Sequence, residues 1–210
     1  MRQKGMALDK RVRAVTEAAA ELFSTRGFIE TSMEEIARTA QMSKGGIYHY
    51  FKSKTEILDA VVSDFMDHVL ADIEDQLAGL EDREEKLSFL VRRHVDIYIR
   101  HMHAARVLLK AANNLPSSER KQLTSKERRY YDAVAGVITP FLGEARDKGI
   151  LTAATFSLLG MCNWIYSWYD PKGPIDPERL SEIIIAIFTR GICHVGTKKA
   201  PGLESPNFTA

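Results

Sequence analysis

From Asp9 to Arg26, apolar residues return every three or four positions, at Val12, Val15, Ala18, Ala19, Leu22 and Phe23, and this spacing predicts an amphipathic helix. Gly27, which tolerates the left-handed turn that ends helices, follows directly. In Thr31-Ser32-Met33-Glu34-Glu35, both Thr31 with Glu34 and Ser32 with Glu35 have capping-box spacing, so a second helix opens there with Met33, Ile36, Ala37 and Ala40 on one face. Gln41-Met42-Ser43 breaks the period. Ser43 is placed to cap a very short helix from Lys44 to Phe51, and Ser53 to cap a long one over 54–77 through Ile57, Val61, Phe65, Val69, Ile73 and Leu77.

Beyond Gly79 the pattern predicts helices at about 82–100, 102–113, 117–147, 152–169 and 176–194. Leu115-Pro116, Lys148-Gly149 and Asp170-Pro171-Lys172-Gly173-Pro174 separate them. Pro140 lacks a backbone donor and kinks or breaks the 117–147 segment. Residues 196–210, with Pro201, Gly202 and Pro206, read as a flexible tail. No stretch alternates as a strand would, and no repeat appears. The predicted fold class is all-α.

Composition adds one point that the total conceals. The 210 residues carry 29 Lys+Arg and 28 Asp+Glu, a net charge of +1 that argues against a strongly basic nucleic-acid binder. Residues 1–54, however, carry +4 and the remainder −3. A basic quarter joins a mildly acidic remainder. No run approaches 18 apolar residues, so no membrane span is expected, and the charged N-terminus lacks a signal-peptide core. Cys162 and Cys193 sit in apolar helical patterns, the usage of a reduced, cytoplasmic protein with core thiols.

The basic quarter has the order helix, turn, short helix, packed on a preceding helix, which is the helix-turn-helix arrangement. A recognition helix must be short and must present polar groups at its N-terminal end to a major groove about 12 Å wide. Lys44, Gly45 and Gly46 open the short helix with little bulk. Tyr48, His49 and Tyr50 supply hydroxyls and a ring nitrogen, and Lys52 and Lys54 flank its exit as phosphate contacts. The competing reading for Ile47, Tyr50 and Phe51 is packing of the small three-helix core.

At these positions the sequence resembles the TetR family of bacterial transcriptional regulators. The resemblance is carried by Leu22-Phe23, Gly27-Phe28, Thr31-Ser32-Met33, Ile36-Ala37, Ala40, Ser43-Lys44-Gly45, Ile47-Tyr48, Tyr50-Phe51 and Lys52-Ser53-Lys54. Gln41 departs from the glycine often found in the family's turn. The resemblance implies a three-helix DNA-binding domain over 9–55, with its motif about 32–51. A ligand-binding and dimerisation domain over 56–195 follows. Thr31 or Ser32, with Lys44, is then expected at phosphates, Gly45, Tyr48 and His49 nearest bases and backbone, and Ser43 and Tyr50 among the DNA-binding residues, on a pseudo-palindromic operator bound by a homodimer.

In the body, Asn163-Trp164-x-x-x-Trp168-Tyr169-x-Pro171-x-Gly173 is similar to the branch of that family that responds to acyl-coenzyme A thioesters. Two rings at i and i+4 either fill a core, line a cavity or meet a partner subunit. A thioester of coenzyme A joins an apolar chain to a polyanion, and its site needs cations beside an apolar tunnel. Arg106 and Arg128 adjoin apolar stripes and, with Phe141, Asn163, Trp164 and Trp168, form the expected ligand set. Lys121, Lys126 and Arg129 read as a solvated face. Ile184, Ile187 and Phe188 are expected at the dimer interface, because Leu180–Ile192 is apolar on too many sides for one core. The helix over 54–77 is the expected lever between ligand and DNA. The alternative is a regulator of the same type, of efflux or signalling, that senses a different apolar ligand.

An enzyme is not expected. The histidines at 49, 68, 94, 101, 103 and 194 lack metal-ligand company, and no phosphate loop or nucleophile motif appears. Neither a metal nor a cofactor is predicted.

Overall fold

Serine hydroxyls fix where the first helices begin. In a computed structural model of the chain, which describes residues 2–143 and 147–192 with side chains from Lys10 onward, Ser32, Ser43 and Ser53 each accept a hydrogen bond from the N–H three residues on. They cap α2 (Met33–Thr39), α3 (Lys44–Tyr50) and α4 (Lys54–Leu70), which follow α1 (Arg2–Thr25). Of the two capping registers, Ser32 with Glu35 forms: the Glu35 N–H donates to Ser32 Oγ at 3.2 Å and the Ser32 N–H to Glu35 Oε2 at 2.8 Å. Thr31 is unavailable, because its buried hydroxyl donates to the Gly27 carbonyl at 2.7 Å.

Where the family's glycine is missing, the backbone keeps the glycine conformation. The Met42 N–H reaches the Ala37 carbonyl and the Gln41 N–H the Arg38 carbonyl, a Schellman ending to α2. Gln41 takes φ +54° to complete it.

The chain divides into two compact units that do not follow the expected boundary at 55/56. The first comprises Met1–Ala71 and Ile97–Tyr130, the second Asp72–Asp96 and Tyr131–Ala210. In the first, α1 packs on α2, on α4 and on α7 (Met102–Ala111), and α2 packs on α3. Val15, Ala19, Ile36, Ile47, Ile57, Leu58 and Phe65 form its centre. Each large aliphatic side chain buried here contributes about 1.5–3 kcal/mol. Lys126, expected on a solvated face, instead donates to Ser63 Oγ at 2.8 Å and pairs with Asp67 at 2.6 Å.

The second unit holds α5 (Ile73–Ala78) and α9 (Lys148–Asn163), α10 (Ile165–Trp168) and α11 (Pro177–Ile192). Parts of α6 (Arg83–Arg100) and α8 (Ser117–Ile138) also belong to it. Leu87, Val91, Ile138, Leu158, Ile165 and Leu180 fill its core. Among the described residues there is no strand, as expected.

Several predicted segments are broken. The 54–77 helix stops at Leu70 and restarts at Ile73, because Asp72 takes φ +53°; the expected lever is not one rod. The 117–147 segment ends in a 3₁₀ turn, Thr139–Phe141, at Pro140, as its missing donor requires. The 102–113 segment also tightens into a 3₁₀ turn, Ala112–Asn114. The 152–169 segment starts at Lys148 and is interrupted after Asn163. Cys193, His194 and the tail lie outside the described residues.

One expectation about apolar surface is corrected. Ile184 and Phe188, assigned to a dimer face, are 5% and 7% exposed and point into the unit's own core, while Ile187 is 60% exposed. Their phase is set by packing of α11 on α9. Lys148–Trp168 is long and apolar enough, by length and composition, to cross a membrane, although polar residues such as Thr155, Ser157 and Asn163 interrupt it and no unbroken apolar run forms. A third of it is buried within the protein, and Phe156, Trp164 and Trp168 are exposed along it.

The second core also holds polar groups. Burial pushes the Cys162 thiol up to about 12, making it an inert core thiol. It pushes the His94 imidazole down to about 3, with the neighbouring Asn163 amide opposing the shift in part. His94 is therefore neutral in the fold.

An unfolded histidine takes up a proton below about pH 6.5, whereas folded His94 resists until about 3. Acid thus stabilises the unfolded chain, and stability is lost as pH falls from 6.5 toward 3. Urea unfolding is expected to show a loss of about 2 kcal/mol from this group between pH 7 and pH 5, and His94→Gln to flatten that slope. Gln41→Gly, by relieving a side chain at positive φ, is expected to raise stability by about 0.5–1 kcal/mol, and Gln41→Val to lower it. An unchanged denaturation midpoint in both variants contradicts the assigned strain.

Candidate nucleic-acid interface and effector region

The short helix α3 is anchored from one side only. Ile47 is fully buried and Phe51, at its C-terminal end, is 5% exposed, so the Ile47 side faces the core. Lys44, Gly45, Tyr48 and His49 are left exposed, and Tyr50 is half-buried with its ring edge-on to His49 at 5.1 Å. Ser43 Oγ accepts from the Gly46 N–H at 3.0 Å, so Ser43 caps the helix while its exposed hydroxyl keeps its own proton to donate. A methyl group at Gly46 would press on Ser43 Oγ at 3.1 Å. At Gly45 it would meet nothing within 4 Å. The protein's own packing gives no reason for Gly45 to lack a side chain.

Charge on this head is arranged in pairs. Glu35 accepts from Ser32 and pairs with Arg26 at 2.9 Å; the Ser32 hydrogen bonds, with help from Arg26, hold its carboxyl below the usual range. Glu34 pairs with Lys44 across the turn. Their hydrogen bond and charges raise the Lys44 ammonium above its ordinary value and lower the Glu34 carboxyl. Sequence reasoning missed this partner, which lies ten residues away and becomes a neighbour only through the turn. Lys52 is exposed, its N–H donating to Glu56.

Two of the expected phosphate contacts are occupied otherwise. Thr31 is 2% exposed and its hydroxyl is used by Gly27. Lys54 turns its ammonium inward to the carbonyls of Phe28, Ile29 and Thr31 at 2.6, 3.0 and 2.7 Å, and lies 4.5 Å over the Phe28 ring. All three of its protons have acceptors within the protein. Ser32 is exposed, although its oxygen also caps α2. The outward set is therefore Lys44, Gly45, Tyr48, His49 and Lys52, with Ser32, Ser43 and Tyr50 at its margin. Such a set offers cations to phosphates and hydroxyl, ring and backbone N–H groups to base edges.

The expected ligand residues fall in different units. Arg106, half-buried on α7, and Arg128, exposed on α8, belong to the first. Phe141, Asn163, Trp164 and Trp168 belong to the second. Phe141 lies 4.9 Å below the Arg83 guanidinium and lines a pocket of about 230 Å³ with Leu87 and Ile185. Asn163 sits beside His94. Trp164 and Trp168 are 61% and 54% exposed, so within the chain they fill no core. A groove of about 320 Å³ between α9 and α11 is lined by Ala153, Ser157, Met161, Ile187 and Gly191.

The same organisation occurs in known proteins. Residues 15–61 match the bacterial regulatory proteins of the tetR family, and residues 80–192 match the tetracyclin repressor-like C-terminal domain. Over 184 residues the chain is 28% identical to the HTH-type transcriptional repressor KstR2 of Mycolicibacterium smegmatis, covering 84% of this chain and 87% of that protein. A TetR-family transcriptional regulator from Bordetella parapertussis superposes with a TM-score of 0.80 at 29% identity, over 84% of this chain and 93% of that one. AibR, solved in complex with isovaleryl coenzyme A and operator DNA, gives 0.72 at 27% identity, over 84% and 97%. From the matched head, the matched body and the all-helical fold that joins them, the chain belongs to the TetR family of bacterial transcriptional regulators.

Proposed function

We propose that the chain is a homodimeric repressor that reads a pseudo-palindromic operator through α3 and leaves it when an acyl-coenzyme A thioester binds the body. The observation that carries the DNA half is Gly45, an exposed position at the start of α3 where nothing in the protein excludes a side chain. An approaching phosphate or base edge does. Lys44 and Lys52 supply sequence-independent affinity, and Tyr48 and His49 read bases. Thr31 and Lys54 act by holding the head together.

For the ligand half, support comes from the Asn163–Gly173 segment and from the likeness to a regulator solved with isovaleryl coenzyme A. Phe141 and Asn163, both in the second unit, are the residues assigned to the acyl end. The exposure of Trp164 and Trp168 favours the subunit-interface reading over the cavity reading that the sequence also allowed. With Phe156 and Ile187 they give α9–α11 an apolar face suited to a symmetric partner. Ligand binding then shifts the dimer between states of different operator affinity by its differential free energy.

Thermal unfolding with isovaleryl coenzyme A, with longer acyl and aromatic thioesters, with the free acids and with coenzyme A alone separates the ligand classes. A thioester is expected to stabilise the protein by about 2.7 kcal/mol at one hundred times its Kd, more than either half does. Stabilisation by a free acid alone points to the different-ligand alternative, and no shift with any thioester rejects the class. Gly45→Ala is expected to raise helix stability by about 1 kcal/mol, while costing roughly tenfold in affinity for an operator recovered by in vitro selection. Unchanged binding by that variant removes α3 from the interface.

A further inference from the structure

The first turn of α2 carries two adjacent carboxylates with different employment. Glu35 belongs to the fold: it completes the capping box with Ser32 and pairs with Arg26. Glu34 takes no part in the cap, and its Oε1 receives the Nζ of Lys44, the first residue of α3. The lead cation of the DNA-reading helix is therefore engaged by an acid of the same head. Both side chains of the pair are 66% exposed. Water and salt reach it freely, which makes the contact easy to exchange.

We propose that Glu34 is an internal stand-in for a DNA phosphate, holding the Lys44 ammonium in the free protein and giving it up to a phosphate oxygen when DNA binds. This rests on the assignment of α3 as the reading helix. Three observations carry it. A lysine ammonium is a compact charge without the forked geometry of arginine, so a carboxylate oxygen and a phosphate oxygen are equivalent acceptors for it. The approach to Lys44 is open on the α3 side, where a methyl at Gly45 would touch nothing. Glu34 can be neutralised without dismantling α2, whose cap is made by Ser32 and Glu35.

Glu34 thus lowers affinity for DNA of any sequence, because a lysine–phosphate contact carries no sequence information. Base reading by Tyr48 and His49 is untouched. The pair sets how much of the protein is lost to non-operator DNA, while Lys44 still neutralises one phosphate in the complex.

The test is binding of a labelled random-sequence duplex by fluorescence anisotropy over a salt series, with wild type, Glu34→Gln, Lys44→Gln and the double variant. Circular dichroism checks that each is folded. Glu34→Gln is expected to bind about five- to tenfold more tightly at low salt with a nearly unchanged log–log salt slope, because Lys44 neutralises the same phosphate in both complexes. A slope steeper by about 0.9 shows that Glu34 keeps Lys44 in the wild-type complex and overturns the exchange. In the Lys44→Gln background the same change is expected to alter affinity by less than about twofold. An equal gain in both backgrounds overturns the exchange, since Glu34 then acts only as a distant negative charge. No gain in either shows that Glu34 does not compete with phosphate for Lys44 and overturns it as well. Folded wild type that binds no duplex at any salt overturns the DNA-reading assignment itself, and the exchange with it.

Discussion

One ammonium group ties the reading head together. Lys54 opens α4 and sends its Nζ back to three carbonyls of the loop between α1 and α2, with the Phe28 ring beneath it. Those carbonyls follow the end of α1, where few backbone partners exist, and a charged donor satisfies them more strongly than a neutral one. The loop in turn sets Thr31 on Gly27 and brings Ser32 to the position that caps α2. The start of α4, the end of α1 and the start of α2 are thereby fixed by a single side chain. The orientation of α3, packed on α2 through Ile47, depends on that frame.

The body solves a different problem. Its helices carry more apolar surface than one core can absorb, so α11 divides its isoleucines between an inner face, with Ile184, and an outer one, with Ile187. The segment Lys148–Trp168 does the same, a third buried and the exposed part rich in large rings. Hydropathy averaged along the chain cannot distinguish such a two-faced helix from a membrane span. The distribution of burial around it does, because a span would carry its apolar surface on every side.

The caps at Ser43 and Ser53 were legible because they are local: a hydroxyl meets an N–H three residues away, and sequence spacing states that directly. The halt at Pro140 was legible for the same reason. The break at Asp72 was not, since the apolar period of 54–77 runs through it to Ile73 and Leu77 without interruption. The choice between Ser32 and Thr31 as cap was undecidable from spacing, because it turns on where the Thr31 hydroxyl goes. In the site, the glycines, tyrosine and histidine of α3 were readable as an outward set. The roles of Lys54 and Lys126 were not, because a long flexible side chain can fold back onto acceptors that only the tertiary structure brings near. The phase of Ile184, Ile187 and Phe188 was hidden likewise, as every position in that stretch satisfies an apolar pattern.

The two glycines of α3 carry a thermodynamic consequence. A seven-residue helix with Gly45 and Gly46 in its first turn has almost no helicity of its own. Its order comes from Ile47, Phe51 and the Ser43 cap, so α3 is folded by its neighbours. Its amides are accordingly expected among the first of the head's helices to exchange with solvent deuterium. On the proposed reading of α3, docking onto a duplex gains stability for the helix as well as contacts for the protein. Part of the affinity for DNA is in this sense folding free energy, deferred until the partner arrives.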